Sequence, residues 1–299
     1  MRKIKNISFA ALIAILIISW QTVSGSYEGQ SKVSSVSNTK SSSNSKSTKT
    51  AAKAKTTTTG SGKVAAPKDN NNINGIERLK AAYPQKIKDI KDNTIYFVDG
   101  TTIVYDDGKE KDFEFMLDNA DPEDMFLLAY NTSSSTPEYL HDVGRTRSEQ
   151  LFKKLYGNTK EAVSKQLVSV PWFGGNVRFS SSNNAAEQLK KVQKELAQHP
   201  ELKKYLTSQG TFYWRNVRGA NRLSAHSYGI AIDIGKGYND YWLWSNKGAG
   251  ETKKISYKNR MPMEIVEIFE KYGFVWGGRW YHYDTMHFEY RPELNPTKK

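Results

Sequence analysis

The chain has 299 residues, 44 lysines and arginines against 31 acids, and no cysteine. That length allows one large or two ordinary domains, and the lack of thiols excludes disulfides and thiolate metal sites, so a metal has to be held by the five histidines and by carboxylates. Residues 1–70 hold eleven Lys and Arg against two acids and so carry +9 of the formal +13, which argues against a nucleic-acid reader, whose charge gathers on a folded face.

Arg2, Lys3 and Lys5 precede an apolar run from Ile7 to Trp20 and small residues at Val23-Ser24-Gly25. This order predicts a secretory signal peptide over residues 1–25, with an uncleaved membrane anchor as the alternative; the run is short for a span of about 20 residues. Residues 26–72 are mostly Ser, Thr, Lys, Ala and Asn. They have too few apolar groups to offset chain entropy and predict a flexible linker, basic enough to lie along an anionic wall surface.

Residues 73–169 predict a small β-containing region. Within Asp92–Gly108, two β-branched and aromatic runs meet at Asp99-Gly100, a hairpin signal. "DPEDMF" reads as a helix start, and Gly144–Tyr156 carries a weaker helical pattern. Ala185, Leu189, Val192 and Leu196 recur at helical spacing within 185–198. "TFYWR" (211–215), "IAIDI" (230–234) and Met286–Tyr290 read as strands. Pro262, followed by Ile265, Val266 and Phe269 and stopped by Gly273, marks a helix. Strands and helices mix without a βαβ repeat, which predicts an α+β fold.

Polar side chains stand out inside apolar runs. Asp233 ends "IAIDI" and is costly to bury without a cationic partner. His226 precedes it by seven residues, and Tyr228-Gly229 lets the chain turn between them. "GFVWGGRWYHYDTMHFEY" (273–290) adds Asp284 and His287. His226, Asp233 and His287 together make a two-nitrogen, one-oxygen set with room for water at a fourth position, the form of a catalytic zinc site. His282 is the rival third ligand; its spacing from His287 puts the two on opposite faces of a strand. Asp284 suits a general base, or else a partner that orients a ligand histidine.

These residues resemble the VanY-like zinc D,D-carboxypeptidases and L-alanyl-D-glutamate endopeptidases of cell-wall metabolism. Ser224, His226, Gly229, Ala231 and Asp233 match the first half of that pattern, and Trp280, Asp284, His287 and Phe288 the second. The resemblance covers roughly 170–292 and implies a compact Hedgehog/DD-peptidase-like domain with a central antiparallel sheet, assigned to 170–299. It implies zinc on His226, Asp233 and His287, with Asp284 as base. It further implies an upstream arginine on the substrate or oxyanion, for which Arg215 stands in the similar place, with Arg218 and Arg222 as competitors. Ser224 either caps a turn or lines the site. The aromatic run Gly237–Trp244 is either core or cleft wall, and Glu289 and Trp276 have no role beyond structure.

The resulting expectation is a secreted or wall-associated monomeric metallopeptidase that cuts peptidoglycan stem peptides. A D-alanyl-D-alanine carboxypeptidase comes first, an L-alanyl-D-glutamate endopeptidase second, and a non-catalytic zinc-containing wall-binding module third.

Overall fold

The computed structural model describes residues 63–68, 74–134 and 136–295. The expected signal peptide and most of the expected linker lie outside the described residues. The linker's last stretch is docked: Ala65 bridges Asp112, and Phe113 N–H donates to Val64 O at 2.9 Å.

Asn74 caps helix α1 (Gly75–Ala82) by accepting from Glu77 N–H. Strands β1 (Ile87–Lys91), β2 (Thr94–Phe97) and β3 (Thr102–Val104) form an antiparallel meander. The hairpin expected at Asp99-Gly100 is its second turn, with Gly100 at φ 82°. The first turn, through Asp92 and Asn93 at φ 48° and 56°, was not read from the sequence, although this residue pair tolerates the left-handed region.

Helix α2 (Phe113–Asn119) follows, and "DPEDMF" forms only a short 3₁₀ turn, Asp124–Phe126. Asp107, Asp121 and Asp124 there surround the buried Lys111 Nζ at 3.1, 2.9 and 2.5 Å, so this acidic group carries its own cation. Helix α3 (Glu149–Tyr156) is narrower than the expected Gly144–Tyr156, because Ser148 caps it. Helix α4 (Lys160–Ser164) leads into a hairpin of β4 (Leu167–Trp172) and β5 (Gly175–Ser180), then α5 (Ala185–Leu196).

α5 buries Ala185, Leu189, Val192 and Leu196, as its spacing predicts, together with Ala186. Each fully buried leucine or valine stabilises the fold by roughly 1.5–3 kcal/mol. "TFYWR" is not a strand. Its flanks make isolated bridges, Gly210 to Asp233 and Asn216 to Leu223, and its backbone is held by side-chain bonds described below.

β6 (Ala231–Asp233), helix α6 (Trp242–Ser245), α7 (Met263–Lys271), β7 (Phe274–Trp276) and β8 (His287–Tyr290) complete the chain. The last sheet is antiparallel in the order β6-β8-β7, so β8 lies in the middle with all four residues buried. α7 starts after Pro262, packs on β7, and ends before Gly273 at φ 82°.

The architecture is α+β with small antiparallel sheets. A single buried cluster takes in Leu79, Ile95 and Phe152 as well as Phe179, Phe269 and Phe288. The expected start of a separate domain at residue 170 falls inside β4, and side chains from both sides of it share that core.

Candidate metal centre and cleft

His226 sits in a buried 3₁₀ turn, Ala225–Tyr228. Ser224 Oγ caps the turn by accepting from His226 N–H, so capping, rather than lining the site, is its place in the structure. Gly229, at φ 67°, donates to His226 O and swings the chain into β6. A Cβ there would stand 2.3 Å from Leu167 Cδ2, on a left-handed backbone that favours glycine.

β6 pairs with β8 in the register Asp233↔His287. Side chains at directly opposed positions emerge together on one face of a sheet. The turn before β6 brings in His226, whose Nε2 lies 3.2 Å from both Asp233 Oδ1 and His287 Nδ1. The third side of this triangle, His287 Nδ1 to Asp233 Oδ1, is 3.0 Å. Zinc bonds of about 2.0–2.2 Å in tetrahedral array place donor atoms a little over 3 Å apart, so the three residues fit that ion.

The outer ring nitrogens are also committed. His226 Nδ1 lies 3.0 Å from the carbonyl of Thr211, which can only accept, so Nε2 keeps a lone pair for the centre of the triangle. His287 Nε2 lies 3.2 Å from Glu289 Oε2. Burial pushes the Glu289 carboxyl up, but Arg147, His287 and Arg291 outweigh it and hold it at about 2, so it too can only accept.

Burial also pushes the Asp233 carboxyl up, and His226 and His287 outweigh it, leaving it well below the usual range. Burial pulls His287 down, whereas Asp233 and Glu289 raise it further, to about 10. The cluster therefore has a strong demand for positive charge.

Asp284 follows the 3₁₀ turn Gly277–Arg279. Its N–H donates to Gly277 O at 3.0 Å, an approach in which a Cβ on Gly277 would stand 2.5 Å from the Asp284 carbonyl. Asp284 Oδ1 is buried without a hydrogen-bond partner. Burial first, and then the nearby Asp233 charge, push its carboxyl up to about 7.

Asp284 and His287 line one cleft with Trp280, His282, Tyr241 and Trp242. The aromatic run thus serves both of its expected roles: Trp242 is buried and Tyr241 faces the cleft, while Trp244 is exposed beside Tyr241.

The structure does not bring Arg215 to this cleft. Its side chain is exposed and donates to Asn216 O at 3.1 Å. What holds residue 215 is its backbone, because Ser227 Oγ accepts from its N–H at 2.9 Å and donates back to its carbonyl at 2.8 Å. Arg218 is also exposed. Of the three arginines considered from sequence, Arg222 lines the cleft, joined by Arg145 and Arg147, which sequence reasoning missed. Two arginines within "GRTRSEQ" ahead of a capped helix were the available signal.

Arg222 is buried, pairs with Asp118, and is drawn down to about 10 by burial and by the charges of Arg147 and Arg145. Its Nε has no partner, nor has the buried Trp280 Nε1. His282 belongs to a different group: Asp142 accepts from its backbone N–H at 2.9 Å and lies 2.5 Å from its Nδ1. Asp142, Glu251 and His282 converge closely enough to suggest a second cation site. Arg145 already fills that need, bonding Asp142 at 2.7 Å and Glu251 at 2.8 and 2.9 Å.

Residues 218–290 match the family model described as D-alanyl-D-alanine carboxypeptidase, and that segment holds His226, Asp233, Asp284 and His287. No curated protein and no solved structure matches the chain.

Proposed function

We propose, from the match of residues 218–290 to that carboxypeptidase family model, that the chain is a zinc-dependent D-alanyl-D-alanine carboxypeptidase acting on peptidoglycan stem peptides. The observation that carries the reading is the triangle of His226 Nε2, Asp233 Oδ1 and His287 Nδ1, with sides of 3.0–3.2 Å, beside a carboxyl held at about 7. Zinc held by those three residues supplies a Lewis acid and lowers the pKa of water to about 7. Asp284 takes the proton of the attacking water and returns it to the leaving amine.

The exopeptidase form is supported by the cleft wall. Arg222 Nε and Trp280 Nε1 can only donate, and both are buried without an acceptor. Buried donors are nearly always satisfied, so these two await a ligand rich in acceptors, and a C-terminal carboxylate has the right chemistry. Arg222, rather than Arg215, is then the arginine that meets the substrate. The fold is of the Hedgehog/DD-peptidase type, the protein is exported through residues 1–25, and it works as a monomer at the wall, where residues 26–62 act as a basic tether.

Incubating the soluble protein with purified muropeptides, with and without a chelator, and weighing the products tests the reading. Zinc-dependent release of a terminal alanine is the expected outcome. Cutting at an internal L-alanyl-D-glutamate bond would make it an endopeptidase, and zinc binding without any product would leave a non-catalytic module.

A further inference from the structure

From β8 into the turn that follows it, the chain places ionisable side chains at alternate positions, which is unusual for a fully buried segment. His287, Glu289, Arg291 and Glu293 occupy every second position, and the last three are 0 % exposed. Residues i and i+2 of a strand share a face, so Glu289 stands beside His287. Its neighbours across the sheet are Ala231 and Val275, which offer it no polar side chain.

Its partners come from elsewhere. Arg291 Nη1 donates to Glu289 Oε1 at 2.7 Å, and Arg147 Nη1 lies 3.7 Å from Oε2, the oxygen facing His287. Behind them, Arg291 Nε bonds Glu293, Glu293 Oε2 accepts from Tyr83 OH at 2.7 Å, and Tyr83 OH meets Tyr156 OH at 3.3 Å. Arg291 also lies over the Phe152 ring at 4.8 Å and donates to Gly144 O. Two carboxylates and two guanidiniums thus form a buried set, joined to Tyr83 at the C-cap of α1 and to Phe152 and Tyr156 of α3.

Apolar replacement of such buried ionic sets is often neutral or stabilising, so stability alone does not explain this one. We infer that Glu289 is the positioning residue for His287: its carboxylate accepts a hydrogen bond from Nε2–H and keeps Nδ1 aimed at Asp233 and His226. Arg291 and Arg147 in turn hold the carboxylate, which gives residues 73–169 a part in building the centre. The inference rests on the zinc reading above. His226 has only the neutral carbonyl of Thr211 behind it, so the two imidazoles are not equivalent.

The test uses the full chain with Glu289→Ala and Glu289→Gln. Zinc affinity is measured by competition with a chromophoric chelator, folding by near-UV circular dichroism, and the His287 Nε2–H resonance by NMR of the metal-free protein. In the wild type that resonance is shifted downfield and exchanges slowly, as expected for a proton held by a carboxylate. Glu289→Ala abolishes this signature and weakens zinc by about ten- to a hundredfold. Glu289→Gln, whose amide oxygen accepts the same proton, keeps more of the affinity than alanine does. Unchanged zinc affinity and an unchanged resonance in whichever variant folds would overturn the inference. A wild-type protein that binds no zinc would instead defeat the proposed function, and the metal-free resonance would still report on Glu289.

Discussion

Asp233 and His287, 54 residues apart in sequence, are register partners on adjacent antiparallel strands, and their side-chain donors meet at 3.0 Å. A slip of one residue in this pairing would turn one of the two to the opposite face. The candidate metal centre is therefore specified by the same hydrogen bonds that specify the sheet, and its proposed chemistry can be tested residue by residue.

Asp284→Ala removes the proton carrier and leaves the three proposed ligands in place. We expect kcat on stem peptides to fall by about 10²–10⁴-fold, with zinc stoichiometry unchanged by atomic absorption. Retained turnover would take Asp284 out of the reaction.

The pH profile of kcat/KM is expected to rise with loss of a proton from Asp284. Its carboxyl is held at about 7 in the metal-free protein, and a neighbouring dication favours the carboxylate, so the acid limb lies at or below that value. Without metal, the folded chain keeps a proton that the unfolded chain releases above its ordinary value of 3.8. This contribution to stability is complete at low pH and is lost as pH rises through about 7. Thermal melts of metal-free wild type and Asp284→Asn across that window should show the difference, since asparagine does not titrate.

Zinc uptake at neutral pH should displace a proton from His287, which is raised to about 10 in the free protein. Affinity should fall by about tenfold for each pH unit lowered above about pH 7 and more steeply below it, where Asp284 also has to lose its proton, and calorimetry in buffers of different ionisation enthalpy should count at least one proton released. Chelation abolishes turnover and lowers the melting temperature; zinc at a hundred times its Kd contributes about 2.7 kcal/mol.

Arg222→Ala and Arg215→Ala separate the two arginine assignments. Removing a buried donor from a charged ligand costs about 1.5–3 kcal/mol, so Arg222→Ala should reduce kcat/KM by about 10–100-fold. Arg215→Ala, at an exposed side chain bonded to its neighbour's carbonyl, should leave steady-state kinetics unaltered. The opposite ranking would restore the arginine expected from sequence.

Gly229→Ala places a methyl against Leu167 at a left-handed backbone position. The backbone term alone costs about 1–2 kcal/mol, and the clash adds to it. We expect a lower denaturation midpoint and weaker zinc binding, because the turn carries His226.

The four residues of the proposed centre were legible in the sequence because each is an oddity in its own neighbourhood. Asp233 ends an aliphatic strand, and His287 opens an aromatic one. Charges in such runs need partners, and that requirement can be read without coordinates. Helix α5 was legible for a related reason, since one apolar stripe declares one buried face. "TFYWR" misled because its β-branched and aromatic content suits a strand, while its backbone bonds go to Ser227 and His226 instead of to a continuous ladder.

Local pattern determined the α+β class, the glycine turn at 229, and which polar side chains need partners inside apolar runs. Tertiary structure alone decided which arginines face the cleft, that His282 is held by Asp142 140 residues away, and that Glu289 backs His287 with support from residues ahead of α3. The physical reason is one of range: the cost of burying a charge is felt at its own position, but the identity of its partner depends on how distant segments pack.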